Sequence, residues 1–400
     1  MNEVQALLDA WDAAAACGEP CAVATVVDVD GSAYRRPGAR MLVSAAGATS
    51  GTISAGCLEG DVVEHALSVI RGGAAKVVEY DTASTSEEVA WGLGLGCGGV
   101  VRVLIEPLAA GSLHLDALRG SREAADDADG VIVATVFDHV PSPFSSVDAR
   151  ISPGARLVIG RDGGVRIEGM DGATASVVER EARALAADGI TAVARSIDVE
   201  GGTVRVLIET LAPPVPLIVF GAGQDVLPVV ELARGLGWIT EVVDTHARPI
   251  SHTRFAAADR VTLARPDEVQ AHVRITPATM ALVMSHDYAH DRAVFDVLLA
   301  SPARYIGVMG PRERSQRMLA ELGLDGGRAD LARLHSPIGL DIGANSPAEV
   351  ALSIIAEMRA ALDGRRGGML RDRPGPIHRD ADPPECVPVS RGHLRSVAAA

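Results

Sequence analysis

The chain has 400 residues, 48% of them hydrophobic and 3% aromatic, with a formal net charge of −15. That length accommodates two or three domains with sizeable cores, and the composition fits an Ala/Val/Leu-rich α/β protein rather than a disordered one. The acidic balance excludes a general nucleic-acid binder, and the lone lysine, Lys76, excludes a Walker A loop, a supported pyridoxal Schiff base and a short-chain-dehydrogenase Tyr/Lys pair.

In chain order, Val4 to Ala16 reads as an amphipathic helix with Leu7, Leu8 and Trp11 on one side. Cys21 to Val29 reads as a strand, followed by a turn-rich loop, 30–38, that carries the adjacent arginines Arg35 and Arg36. Strands are expected at 40–43, 51–54, 77–80 and 100–106, and a helix at 58–72. Two glycine-rich loops contain a cysteine: Ser54-Ala55-Gly56-Cys57-Leu58-Glu59-Gly60 and Gly94-Leu95-Gly96-Cys97-Gly98-Gly99. Glycines around a thiol let backbone N–H groups approach a ligand, so each loop reads as a place where sulfur meets an anionic, phosphate-bearing group, or as a tight turn that contains a cysteine. Both loops are expected to lead into nucleotide-type βαβ units. Cys17 and Cys21 have no second close pair to complete a zinc site and read as packing residues, and no metal site is expected.

The segment Val101-Arg102-Val103-Leu104-Ile105-Glu106 recurs as Val204-Arg205-Val206-Leu207-Ile208-Glu209, each copy after a Gly-Gly pair. The echo implies an internal repeat: an N-terminal α+β cysteine-loop domain spanning 1–112 and a second α+β unit spanning 113–212, packed with the first. Leu211-Ala212-Pro213-Pro214-Val215-Pro216 reads as a linker, opening a Rossmann-like doubly wound parallel sheet at 213–363. A Gly/Pro/Arg-rich flexible tail with Cys386 is expected at 364–400.

In the third region the apolar strand 217–220 enters Gly221-Ala222-Gly223, a helix follows, and the next strand ends in Asp244. Strand, G-x-G turn, helix, strand and acid is the dinucleotide-binding pattern, with Gly221 and Gly223 at the phosphate and Asp244 on a ribose hydroxyl. Val226 stands at the third small position. The strand 281–284 ends at His286 and Asp287, which read as site residues or as the capped start of a helix. Tyr305 to Gly310 is a strand and turn, and Arg312 and Arg314 at the next helix start make a phosphate seat.

Gly31-Ser32-Ala33-Tyr34-Arg35-Arg36-Pro37-Gly38-Ala39-Arg40-Met41, the two cysteine loops, Phe220-Gly221-Ala222-Gly223, Tyr305-Ile306-Gly307 and Pro337-Ile338-Gly339-Leu340-Asp341-Ile342-Gly343-Ala344 occur together and in this order. In this the chain resembles the xanthine dehydrogenase accessory protein family (XdhC/CoxI-like). The resemblance implies a cytoplasmic, dimeric maturation factor that binds molybdenum cofactor (molybdopterin), supports its sulfuration with a cysteine desulfurase, and delivers it to an apo-xanthine dehydrogenase-type molybdenum hydroxylase. It implies a chaperone rather than an enzyme with its own turnover. On that reading Cys57 and Cys97 supply the thiols, while Arg35, Arg36, Gly56, Gly98 and Gly99 hold the phosphate. Gln224 stands where the family has histidine, and Ala55 where glycine is common. The competing expectation is an NAD(P)-dependent oxidoreductase, which explains the Rossmann half and leaves the cysteine loops without a task. The five cysteines match no iron–sulfur binding run, so the chain is not expected to be a xanthine dehydrogenase itself. No signal peptide and no apolar membrane-spanning stretch are expected, nor is binding to nucleic acid or to a membrane.

Overall fold

The computed structural model describes residues 3–81, 99–123, 129–143, 151–324 and 329–373. The chain opens with α1 (Glu3–Ala16), β1 (Cys21–Gly31), β2 (Arg40–Ser44), β3 (Thr49–Gly51), α2 (Glu59–Gly72), β4 (Lys76–Asp81) and β5 (Gly99–Pro107). These strands form an antiparallel sheet ordered β3-β2-β1-β5-β4. After α3 (Leu113–Arg122) the plan repeats with β6 (Val131–Pro141), β7 (Arg156–Ile159), β8 (Val165–Glu168), α4 (Gly172–Ala187), β9 (Ala192–Val199) and β10 (Gly202–Leu211), ordered β8-β7-β6-β10-β9. The internal repeat is therefore a whole sheet and helix, not only the echoed strand.

The expected βαβ units are absent here: α2 links β3 to β4 within an antiparallel sheet. The Val-rich strands read as parallel because both faces are covered, a pattern parallel sheets usually show. In β1, Ala22, Ala24 and Val26 pack towards α2 with Val62, Ala66 and Val69. Cys21 and Val23 face the other way, into a core shared with Leu7, Leu8 and Trp11 of α1, with α3, and with Val133, Val158 and Leu211 of the second sheet. Val27, Leu104, Phe137 and Leu207 extend the contact between the sheets. The third strand lies earlier than expected: the chain leaves the sheet at Gly51 (φ +85°), and Thr52 and Ser54 instead hold the following loop. Cys21 is buried as expected, but Cys17 is exposed, one residue past the end of α1.

The repeats are tied by a buried polar chain. Arg40 of β2 pairs with Glu209 of β10, and Arg156 of β7 pairs reciprocally with Glu106 of β5 at 2.6 Å. His114, on α3, breaks the symmetry. Its Nδ1 donates to Glu106 at 3.0 Å, and its Nε2 accepts from Arg40 Nε at 3.3 Å. In the other half, Arg156 Nε donates to Thr135 at 3.1 Å. Burial and the nearby Arg156 push the His114 pKa down to about 4, so the imidazole is neutral, the state its two hydrogen bonds require.

The last region contains β11 (Pro216–Phe220), α5 (Val226–Gly235), β12 (Ile239–Asp244), α6 (Ile250–Arg254), β13 (Arg260–Leu263), α7 (Val269–His272), β14 (Met280–Val283), α8 (Tyr288–Ala300), β15 (Tyr305–Val308), α9 (Arg312–Glu321), β16 (Leu334–His335) and α10 (Pro347–Leu362). Its parallel sheet runs β13-β12-β11-β14-β15-β16. In β11, Leu217 and Val219 pack towards α5 and α10, while Ile218 and Phe220 pack towards α7, α8 and α9. This is the expected doubly wound Rossmann architecture, with its topological switch between β11 and β14. At the start of the expected tail, Gly367 lies against Leu340, and Cys386 lies outside the described residues.

Candidate functional site

The Cys57 loop occupies the link from β3 to α2. Glu59 holds it: the Ser54 amide donates to its carboxylate at 2.8 Å, the Thr52 hydroxyl donates at 2.6 Å, and the Ser54 hydroxyl also donates. Ser54 Oγ in turn accepts the Leu58 amide at 3.1 Å. Burial works to raise the pKa of Glu59, but these hydrogen bonds overcome it and bring it down to about 2. Ile53 and Ser54 are buried, Ala55 and Gly56 are exposed, and Cys57 is half-buried against the α2 core. Gly56 is left-handed at φ +103°, and a Cβ built there meets nothing within 4 Å. The loop is therefore fixed from within and open outside.

Ala33 packs against the same core as Cys57, so the arginine loop begins beside the cysteine loop. Arg35 is engaged by both carboxylate oxygens of Glu3 on α1, at 2.8 Å for one of the two bonds. Arg36 is exposed. Gly99 opens β5 opposite Gly31, and a Cβ there would come within 2.6 Å of the Asp30 carbonyl, so glycine is needed for the strands to meet. Cys97 and Gly98 lie outside the described residues.

The second cluster forms at the Rossmann switch point. Gly221 (φ +141°) lies so close to the end of β14 that a Cβ would come 2.3 Å from the Met284 carbonyl oxygen. A Cβ on Gly223 would lie 3.8 Å from the His286 ring, and His286 Nε2 bonds Asp225 at 2.7 Å. The structure thus brings Gly221, Gly223 and His286 together. Asp244 is fully buried and turned into its own loop, accepting from the His246 amide at 2.9 Å, Arg248 Nε at 3.0 Å and Ser251 Oγ at 2.6 Å. Its carboxylate organises residues 245–251. Asp287 caps α8, accepting from the Ala289 and His290 amides. Arg312 is exposed at the start of α9, whereas Arg314 turns inward to buried Asp291 at 2.6 Å.

Sequence reasoning missed Asp225, His246 and His290. His246 and His290 have ring centroids 4.4 Å apart, although His246 sits in the connection from β12 to α6 and His290 in the first turn of α8. Only their shared position after strands β12 and β14, at the edge where ligands bind in such sheets, could have drawn attention to them. No helix among the described residues is long and apolar enough to cross a membrane.

Comparison with known proteins follows the same division. A family model described as the XdhC Rossmann domain matches residues 217–358, and one described as the XdhC and CoxI family matches residues 14–81. A Bacillus subtilis (strain 168) protein, named as a probable subunit of xanthine dehydrogenase, is 27% identical over 341 residues, 85% of this chain and 92% of that protein. The uncharacterized protein YqeB of Escherichia coli (strain K12) is 28% identical over 174 residues, 42% of this chain and 31% of YqeB. A crystal structure described as a xanthine dehydrogenase from Bacillus halodurans aligns with a TM-score of 0.68 at 27% identity, covering 94% of this chain and 98% of that one. The chain belongs to the XdhC/CoxI family, and that membership suggests an accessory role beside a xanthine dehydrogenase.

Proposed function

We propose that this protein is a maturation factor that binds molybdenum cofactor, supports its sulfuration and delivers it to a xanthine dehydrogenase-type hydroxylase. The observation that carries the reading is the Cys57 loop, which lies within the segment matched by the XdhC and CoxI family model. Its thiol is half-buried, the space over Gly56 is open, and the N-terminus of α2 follows directly. A soft sulfur ligand beside helix amide groups suits a cargo that joins molybdenum and sulfur to a phosphate. Arg35 contributes by exchanging Glu3 for that phosphate, with Arg36 beside it, and Cys97, Gly98 and Gly99 supply the second loop. A cysteine desulfurase provides the sulfur, and the chain works as a cytoplasmic homodimer without turnover of its own.

In the Rossmann half, Gly221, Gly223, His286 and Arg312 receive the nucleotide of a dinucleotide form of the cofactor. The alternative, an NAD(P)-dependent oxidoreductase, is favoured by the strand order of that sheet. It is disfavoured by Asp244, whose oxygens are already filled by Arg248, Ser251 and the His246 amide. The test is reconstitution of an apo-xanthine dehydrogenase with purified cofactor, with and without this protein. Hydroxylase activity that rises with the protein, and falls when Cys57→Ala replaces it, supports the reading. Equal activation with and without the protein, together with tight NAD(P)H binding, overturns it in favour of the oxidoreductase.

A further inference from the structure

His246, Asp287 and His290 each offer a ligand atom within 4.8 Å of the other two, at the edge of the sheet where β12 and β14 end. Each side chain already has a second contact that turns one atom inward. Asp287 spends Oδ1 on capping α8, through the Ala289 amide at 2.9 Å and the His290 amide at 3.1 Å, and its Oδ2 lies 3.8 Å from His246 Nε2. His290 Nδ1 bonds the Thr245 hydroxyl at 3.1 Å, which leaves Nε2 as its ligand atom. His246 Nδ1 faces the buried Asp244 carboxylate at 3.9 Å, which leaves Nε2 pointing towards Asp287. Imidazole nitrogens whose far side meets a carboxylate or hydroxyl are the usual arrangement around a bound transition metal.

The cluster also sits on constrained backbone. Ala247, next to His246, and His286, next to Asp287, are the two non-glycine residues with positive φ among the described residues, at +52° and +61°. Such positions are unfavourable for residues with a side chain and are retained where the surrounding structure holds them. In a tetrahedral site with bonds of about 2.1 Å, ligand atoms lie about 3.4 Å apart. The separations here, at most 4.8 Å, exceed that by no more than about 1.4 Å, within reach of a side-chain rotation at exposed His246. Two imidazoles and one carboxylate select a borderline divalent transition metal over calcium or magnesium.

We propose that His246, Asp287 and His290 form a mononuclear binding site for a divalent transition-metal ion of the zinc type, at the mouth of the Rossmann crevice. The proposal is independent of the molybdenum cofactor reading, since it uses none of the residues assigned to that cargo. Its test is calorimetric titration of Zn²⁺ into the full, untagged, metal-stripped chain, with Co²⁺ absorption as a second readout. One equivalent of Zn²⁺ is expected per chain, with a Co²⁺ spectrum free of thiolate charge transfer. Affinity should fall more than about 100-fold in His246→Ala and His290→Ala, and about 10–100-fold in Thr245→Val, which removes only the supporting hydroxyl. Asp287→Asn, which still caps α8, should weaken binding while leaving the thermal midpoint close to that of the wild type. Unchanged affinity in the His246→Ala/His290→Ala double variant, a thiolate band on Co²⁺, or no binding by folded wild type overturns the proposal.

Discussion

Glu59 stands two residues beyond Cys57 and sets the shape of the loop that carries the thiol. Its carboxylate is the shared acceptor for Thr52 and Ser54, so removing it leaves buried Ser54 without its main partner. Glu59→Ala is expected to cost about 1–3 kcal/mol in chemical denaturation and to lower cofactor retention together with Cys57→Ala. Because its folded pKa is held near 2 against an ordinary 4.5, its contribution is complete above pH 4.5 and is lost as pH falls towards 2. Proteolysis of the 52–58 loop, followed across that range, should accelerate in the wild type and be fast and flat in Glu59→Ala. The sequence drew attention to Cys57 and its glycine but not to Glu59, because a carboxylate at a helix start reads equally well as an ordinary solvated residue favoured by the helix dipole. Asp244 shows the converse: the spacing was legible, but whether the carboxylate faces a ligand or its own loop depends on Arg248 and Ser251, which the spacing does not include.

At the scale of elements, the Rossmann half was legible because its signals are local: a strand, two glycines, a helix and a second strand. The close approach of Gly221 to Met284 explains the first glycine without reference to a ligand. Gly221→Ala should therefore destabilise the protein by at least about 2 kcal/mol, read as a lower thermal midpoint whether or not any nucleotide is present. A midpoint shift seen only with nucleotide would instead assign Gly221 a purely binding role. The antiparallel pairing of the first two sheets was not legible, since strands buried on both faces lose the alternation that separates antiparallel from parallel sheets. In β1 the alternation is between two cores rather than between core and solvent.

Across the whole molecule, the echo at 101–106 and 204–209 announced a duplication whose extent the chain partly concealed. Val23-Ala24-Thr25-Val26 matches Val133-Ala134-Thr135-Val136, and Pro37-Gly38-Ala39-Arg40 matches Pro153-Gly154-Ala155-Arg156, but connections of unequal length separate these short matches. Their meaning is spatial: each repeat's arginine reaches the other repeat's glutamate. Arg40→Met leaves Glu209 buried and unpaired and should cost about 3–5 kcal/mol, measured by urea unfolding. His114 adds a pH term. Its folded pKa near 4 lies below the ordinary 6.5, so between those values the unfolded chain takes up a proton that the native chain refuses. Stability should fall as pH drops from 6.5 to 4, with a smaller slope in His114→Gln than in the wild type. The central claim, that this scaffold presents the Cys57 loop to molybdenum cofactor, is tested most directly by the molybdenum and pterin content of the protein purified anaerobically from a cofactor-producing host, beside Cys57→Ala and Cys97→Ala. Molybdenum and pterin are expected in near-equal amounts in the wild type, with both lost in Cys57→Ala. A wild-type protein without either, or a Cys57→Ala variant as fully loaded as the wild type, would contradict it.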